Sequence, residues 1–305
     1  MDTGARNDYT MPDSHDQNFK NLILDYPRQA LELFAPEEAA HIDDSVVFTP
    51  VREEQLKDRL SDRFLSLDIP LLLEWPDGRR EALLFVIEHQ TQSSRFSAHK
   101  LARYSLSLAE LFETDRVVPV VVFLRPTRYT PDTIVLGNEF HDYLTFRYIR
   151  CVLPELSGEQ YLDSTNLVAR LNLPNMHRSP EMKLAIYASA IRGLQTLEEN
   201  PEKRIKYTAF IDIYSDLDNN ERLLFEQRYQ QEFSTMAGFA ERFEEQGLKR
   251  GLKQGLEQGL EQGQRDARLA AARKLLSRTS MDDASIAEIT ELSETEVRAL
   301  RSHAL

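Results

Sequence analysis

The spacing of apolar and polar positions changes period several times along the chain. Over residues 19–33, FKNLILDYPRQALEL, apolar side chains recur at helical intervals, and Pro27 interrupts them. A mostly charged stretch over 52–63 continues the helical reading. The period then shortens to that of a strand. LDIPLLLEW (67–75) and EALLFVIEHQ (81–90) flank the turn signal Pro76-Asp77-Gly78, and together they predict a β-hairpin. Helical spacing returns over 95–112 through Phe96, Leu101, Leu108, Leu111 and Phe112, with Ser93 or Ser94 placed to cap its start. VVPVVVFL (117–124) is almost wholly apolar and rich in β-branched residues, as a strand buried on both faces requires. TFRYIRCVLPEL, from Thr145, alternates and predicts one further strand.

This order predicts an α/β fold: a mixed β-sheet flanked by helices, followed by an all-helical C-terminal region. Residues 1–16 read as a disordered tail, 17–156 as the α/β core and 157–235 as a helical region. Within that region, helices are expected over 182–199, over 203–217 and from Glu221. Residues 236–270 read as a long helix and 271–305 as a small helical hairpin. The hairpin's apolar Ile286, Ile289, Leu292, Val297 and Leu300 surround a turn near Ser293. It resembles a helix-turn-helix unit, but few Lys or Arg face outward, so a structural role outweighs DNA reading.

One segment repeats. Glycines stand at 247, 251, 255, 259 and 263, and leucines at 248, 252, 256 and 260. On a helix each four-residue step drifts about 40°, so both sets form ridges. A helical glycine costs about 1 kcal/mol relative to alanine, so five are tolerated only where something offsets them. Two readings stay open. The segment is a solvated charged linker, or it is a long helix that makes a homo-oligomer through its Gly/Leu face. A left-handed coiled coil needs a 3.5-residue period and does not fit.

Composition narrows the classes. The single cysteine, Cys151, rules out an intramolecular disulfide and a cysteine-based zinc site, and its apolar surroundings suit a small core residue. No apolar run is long enough to span a membrane, and the polar N-terminal stretch does not read as a signal peptide, so cytoplasmic residence is expected. A net charge of −13 disfavours nucleic-acid binding over the whole surface. Residues 76–128 depart from it, with eight Lys or Arg against six Asp or Glu.

The chemistry sits in the hairpin. Asp68 opens the first strand and Glu88 closes the second, so an antiparallel pairing brings them near one another. Two neighbouring carboxylates at the ends of apolar runs are costly unless they share a cation, and an oxygen donor set suits Mg²⁺ or Mn²⁺. Alternation puts Gln90 on the face of Glu88 and His89 on the other, leaving His89 a backbone carbonyl to offer a metal. Glu53 or Glu54 would be a further ligand.

Asp68, the Glu88-His89-Gln90 element after a hydrophobic strand, and a following helix with Arg95 and Tyr104 resemble the PD-(D/E)XK nuclease superfamily. More narrowly, VIEHQTQSSRF, VVPVVVFL and the glycine ladder, in that order, resemble the recombination-promoting nuclease (Rpn) or YhgA-like transposase family. The resemblance spans roughly residues 17–265. It implies a restriction-endonuclease-like core and Mg²⁺-dependent hydrolysis of DNA phosphodiesters, with Asp68 and Glu88 as ligands. Gln90 stands where lysine is usual and cannot supply positive charge; Lys100 on the next helix is placed to do so. Arg95, Arg103 and Tyr104 are the expected DNA contacts. The departure at Gln90 leaves a second reading, a catalytically weak relative that acts as an interaction protein through its helical tail.

Overall fold

The computed structural model describes residues 12–51, 68–88, 96–126 and 131–302, with the side chains of 12–16, 68, 239–254 and 257 left aside. It divides into two compact units, Met1–Phe239 and Ala240–Leu305. The helix expected over 52–63 lies outside the described residues.

In the first unit α1 (Pro12–Asp25) and α2 (Pro27–Phe34) meet at the predicted break. α1 begins at Pro12, inside the stretch read as a disordered tail. Proline has no amide proton and its ring crowds the preceding turn, so Pro27 ends one helix and starts the next. A short α3 (Pro36–Ala39) leads to β1 (Val47–Pro50), which sequence spacing did not reveal.

β2 (Asp68–Glu74) and β3 (Arg80–Glu88) form the expected hairpin. Its turn closes with Gly78 N–H donating to the Trp75 carbonyl at 2.9 Å, and Gly78 adopts φ 86°, where a side chain would be strained. Pro70 lies within β2, yet its carbonyl accepts from Val51 N–H, just past the end of β1. A strand residue's N–H and C=O point the same way, so the missing donor falls where that ladder stops.

α4 (Ala98–Phe112) crosses from β3 to β4 (Val117–Phe123), which runs parallel to β3. Its cap is Ser97, whose hydroxyl accepts from Lys100 N–H, rather than Ser93 or Ser94. The segment expected to be one strand from Thr145 is two. β6 (Asp142–Arg147) pairs with β5 (Thr133–Gly137) in a separate hairpin, and β7 (Ile149–Val152) joins the main sheet beside β4. Among the described residues the main sheet is mixed, in the order β1-β2-β3-β4-β7.

The sheet's two faces carry different cores. Leu83, Phe85, Ile87, Val120 and Val122 meet α1, α2 and the helices that follow the sheet: α5 (Leu167–Leu171), α6 (Lys183–Leu197), α7 (Pro201–Ser215) and α8 (Asn219–Arg228). Residues on both sides of the boundary drawn at 156 therefore share one hydrophobic cluster. Gly193 on α6 is required by that packing, because an added Cβ would lie 2.8 Å from Cβ and Nε of the buried Arg170. The other face, with Ala82, Leu84, Val121 and Phe123, packs on α4 through Leu101, Tyr104 and Leu108.

α8 ends at Arg228, and α9 (Gln230–Arg278) carries the glycine ladder in helical form. In the second unit the end of α9 packs with α10 (Asp283–Thr290) and α11 (Glu294–Ser302) through Ala272, Ile286, Ala287 and Val297. Ile289, counted among the hairpin's apolar residues, is 57% exposed. Arg265, Arg268, Arg298 and Arg301 all pair with carboxylates. No helix among the described residues is long and apolar enough to cross a membrane.

Candidate functional site

Strand register fixes the relation between the two predicted acids. Position 68 lies opposite Val86, and Glu88 is two residues further along β3. Opposed residues share a face, and so do residues two apart on one strand. Positions 68 and 88 therefore belong to one face, the one that packs on α4. They are diagonal neighbours on adjacent strands, a relation that sets Cβ atoms about 7–8 Å or somewhat less apart.

Glu88 is half-buried, and its carbonyl accepts from Leu124 N–H at 3.0 Å, which ties the end of β3 to β4. Phe123 is its register partner. Phe96 meets Phe123 edge-on with ring centroids 5.6 Å apart, and meets Tyr148 at 5.4 Å. These contacts bring the start of α4 to the carboxyl ends of the parallel strands, the end of an open α/β sheet where ligands bind. The helix N-terminus adds partial positive charge there.

The cations divide by environment. Lys100 is half-buried, with Nζ 5.3 Å from the centre of the Tyr104 ring. Arg103 is exposed. Tyr104 corrects the expectation: it is only 6% exposed and belongs to the core between α4 and the sheet, so it does not present a surface for DNA. Helical period places 101, 104, 105 and 108 on one face, which was a sufficient signal for its burial. His89, Gln90, Arg95, Glu53 and Glu54 lie outside the described residues. Among the described residues no group of three or more His, Cys, Asp or Glu is assembled to hold a metal.

Other residues at this end were not singled out from sequence. Register sets Arg150 opposite Val121 on the same face, with its guanidinium 5.9 Å from the Phe123 ring and 3.1 Å from Glu155. Tyr148 is buried; burial and nearby Asp132 push its hydroxyl up to about 12 against the opposing pull of Arg150. Burial likewise raises the Cys151 thiol to about 12, so it stays neutral as a core residue should. Arg125 follows β4 past the sheet end, exposed. Cys151, already read from sequence as a core residue, faces the other cluster; Arg150, Tyr148 and Arg125 form no motif in sequence, and only the sheet register gathers them.

Comparison with protein-family models, with curated proteins and with solved structures finds no match.

Proposed function

We propose that this chain is a metal-dependent deoxyribonuclease with a restriction-endonuclease-like core. One observation carries the reading: the register that sets positions 68 and 88 on one sheet face, as diagonal neighbours, at the end where α4 begins. The succession of hairpin, crossover helix and buried parallel strand agrees with the order that the resemblance implies.

In this reading Asp68 and Glu88 would hold Mg²⁺ or Mn²⁺, with the His89 carbonyl as a further donor. The ion, when bound, supplies positive charge against a phosphate and acidifies a water. The chain's own residues do the rest. Gln90 would orient an attacking water by hydrogen bonding; it takes no proton, so the water's proton would pass to bulk solvent. Lys100, near the N-terminus of α4, provides the fixed charge that Gln90 lacks. Arg95 and Arg103 hold the DNA backbone.

Supercoiled plasmid incubated with the full chain and Mg²⁺ tests this. Nicking is expected from the native sequence and is expected to fall at least a hundredfold in both Asp68→Asn and Glu88→Gln, which keep side-chain size. Nicking that survives both substitutions rejects the assignment of the acids. Lys100→Ala with full Mg²⁺-dependent activity rejects the role of Lys100 alone.

A second reading, a weak or inactive relative that self-associates through its tail, has its own support. Leu256 and Leu260 are 71% and 63% exposed, and a Cβ added at Gly255, Gly259 or Gly263 meets nothing within 4 Å. A pure, folded chain that leaves plasmid intact with both Mg²⁺ and Mn²⁺ and elutes as an oligomer favours it.

A further inference from the structure

Sheet register places a cation in the row of the first acid. Position 68 lies opposite Val86, Val86 opposite Val121 and Val121 opposite Arg150, so these residues share one row and one face across β2, β3, β4 and β7. The next row, at the carboxyl ends of the parallel strands, holds Glu88, Phe123 and Val152. Of these positions only Asp68, Glu88 and Arg150 are ionisable. Val121, Phe123 and Val152 are at most 3% exposed. A charge set among such side chains is costly unless it is paired, so Arg150 needs an anion.

The anion is Glu155, and the pair is two-pronged. Nη2 donates to Oε1 at 3.1 Å and Nη1 to Oε2 at 3.3 Å. The two members differ in setting. Arg150 is on a strand, its side chain is 25% exposed, and its guanidinium lies 5.9 Å from the centre of the Phe123 ring. Glu155 ends a single short turn, Leu153–Glu155, and its side chain is 59% exposed. The fork is therefore held in place, while the carboxylate is the member that can swing into water. A surface ion pair is weak, and a phosphodiester offers the same two oxygens to the same fork.

We propose that Arg150 is a phosphate-binding residue of the candidate site, and that Glu155 occupies its fork until a DNA phosphate displaces it. β7 stands two strand spacings from β3, about 10 Å away. A phosphate held there is a neighbour of the one at the acids, not the one that is cut. Arg150 thus sets the direction in which the strand crosses the sheet end, and the chemistry stays with Asp68 and Glu88. The inference deepens the nuclease reading and rests on it for what happens at the acids. Asp132, close enough to act on the Tyr148 hydroxyl, adds a second carboxylate here, so this surface has no general attraction for a polyanion. Recognition rests instead on shape, a planar fork fixed on a strand.

Fluorescence anisotropy of a labelled duplex oligonucleotide with the full chain, in EDTA so that nothing is cut, reads the two residues with opposite signs. Arg150→Gln is expected to weaken binding about tenfold or more and to reduce the slope of log K against log salt by about 0.9. Arg150→Lys keeps the charge without the fork, and is expected to restore the slope but not the full affinity. Glu155→Gln is expected to tighten binding about threefold. That gain is expected to vanish in the double variant, Arg150→Gln with Glu155→Gln, where no fork is left to unmask. A thermal melt confirms that each variant is folded; should Arg150→Gln fail to fold, Arg150→Lys takes its place in the cycle. A folded Arg150→Gln that binds as the native chain does overturns the proposal. So does a Glu155→Gln that leaves affinity unchanged, or that tightens binding equally with and without Arg150, since loss of a negative charge is then the whole cause. Plasmid nicking separates this proposal from the reading beneath it. Nicking that needs both acids but is unaltered by Arg150→Gln overturns the proposal alone. Binding that depends on Arg150, with no nicking in Mg²⁺ or Mn²⁺, sinks the nuclease reading alone.

Discussion

Asp25, at the end of α1, shows how single side chains join the first helices to those behind the sheet. Its carboxylate is 2.7 Å from Lys206 Nζ, 3.4 Å from Lys203 Nζ and 2.6 Å from the Tyr207 hydroxyl. Burial alone would raise its pKa, but the hydrogen bonds from Lys206 and Tyr207 and the two ammonium charges outweigh it and hold the carboxyl below its ordinary 3.8. Burial, and after it the same carboxylate, pushes the Tyr207 hydroxyl far up, so Tyr207 remains a donor. The sign of the linkage follows. A carboxyl with a depressed folded-state pKa stabilises the fold above its unfolded value, and that contribution is lost as pH falls through the folded value. Asp25→Asn is expected to cost about 1–3 kcal/mol near pH 7 and progressively less below about pH 4. Urea unfolding of both chains at several pH values measures this; a gap that stays constant down to pH 2 would assign the effect to packing instead.

At the scale of elements, the strands and helices with a strong period were legible, and those governed by long-range contacts were not. VVPVVVFL could be read as doubly buried because apolar residues fill both of its alternating faces, and Val120, Val121, Val122 and Phe123 are at most 1% exposed. The hairpin β2–β3 was legible from its turn chemistry. Of the pair of acids, the sequence supplied their types and separation, but only the observed register shows that 68 opposes Val86 and so shares a face with Glu88. A register one residue away would have put them on opposite faces. β1 escaped notice because four residues with mostly exposed side chains leave no pattern. The split at Tyr148 escaped because alternation continues through it, while its ring and amide turn to Phe96 and Asp132. The glycine ladder offers a test whose sign matters. With nothing within 4 Å of a Cβ at 255, 259 or 263, replacing all three by alanine is expected to raise helicity and to stabilise α9 by about 1 kcal/mol per site. Circular dichroism over a thermal melt reads it, with size-exclusion run in parallel. A lower melting temperature together with loss of an oligomer would mean that the glycines admit a second helix, the condition that the self-association reading needs.

The first unit, taken whole, is a sheet sandwiched between two unequal layers. α4 covers one face with a modest cluster. The other face depends on residues far apart in sequence: Phe19 and Phe34 before the sheet, and Ile186, Ile191, Leu194, Phe210 and Ile211 after it, each at most 2% exposed. Burying one such side chain contributes about 1.5–3 kcal/mol. Net stability of a domain is only about 5–15 kcal/mol, so the helices after residue 156 are not an appendage that the sheet can lose. A chain ended at Leu156 would expose Leu83, Phe85, Val120 and Val122 on that face and is expected to aggregate or to unfold without a cooperative transition. A chain ended at Phe239 keeps the whole cluster and is expected to melt cooperatively. Calorimetry of the two fragments decides between one core and two. A soluble 1–156 fragment with a sharp transition would show that α4 and the strands suffice, and that the acids of the candidate site sit on a scaffold independent of the helices behind it.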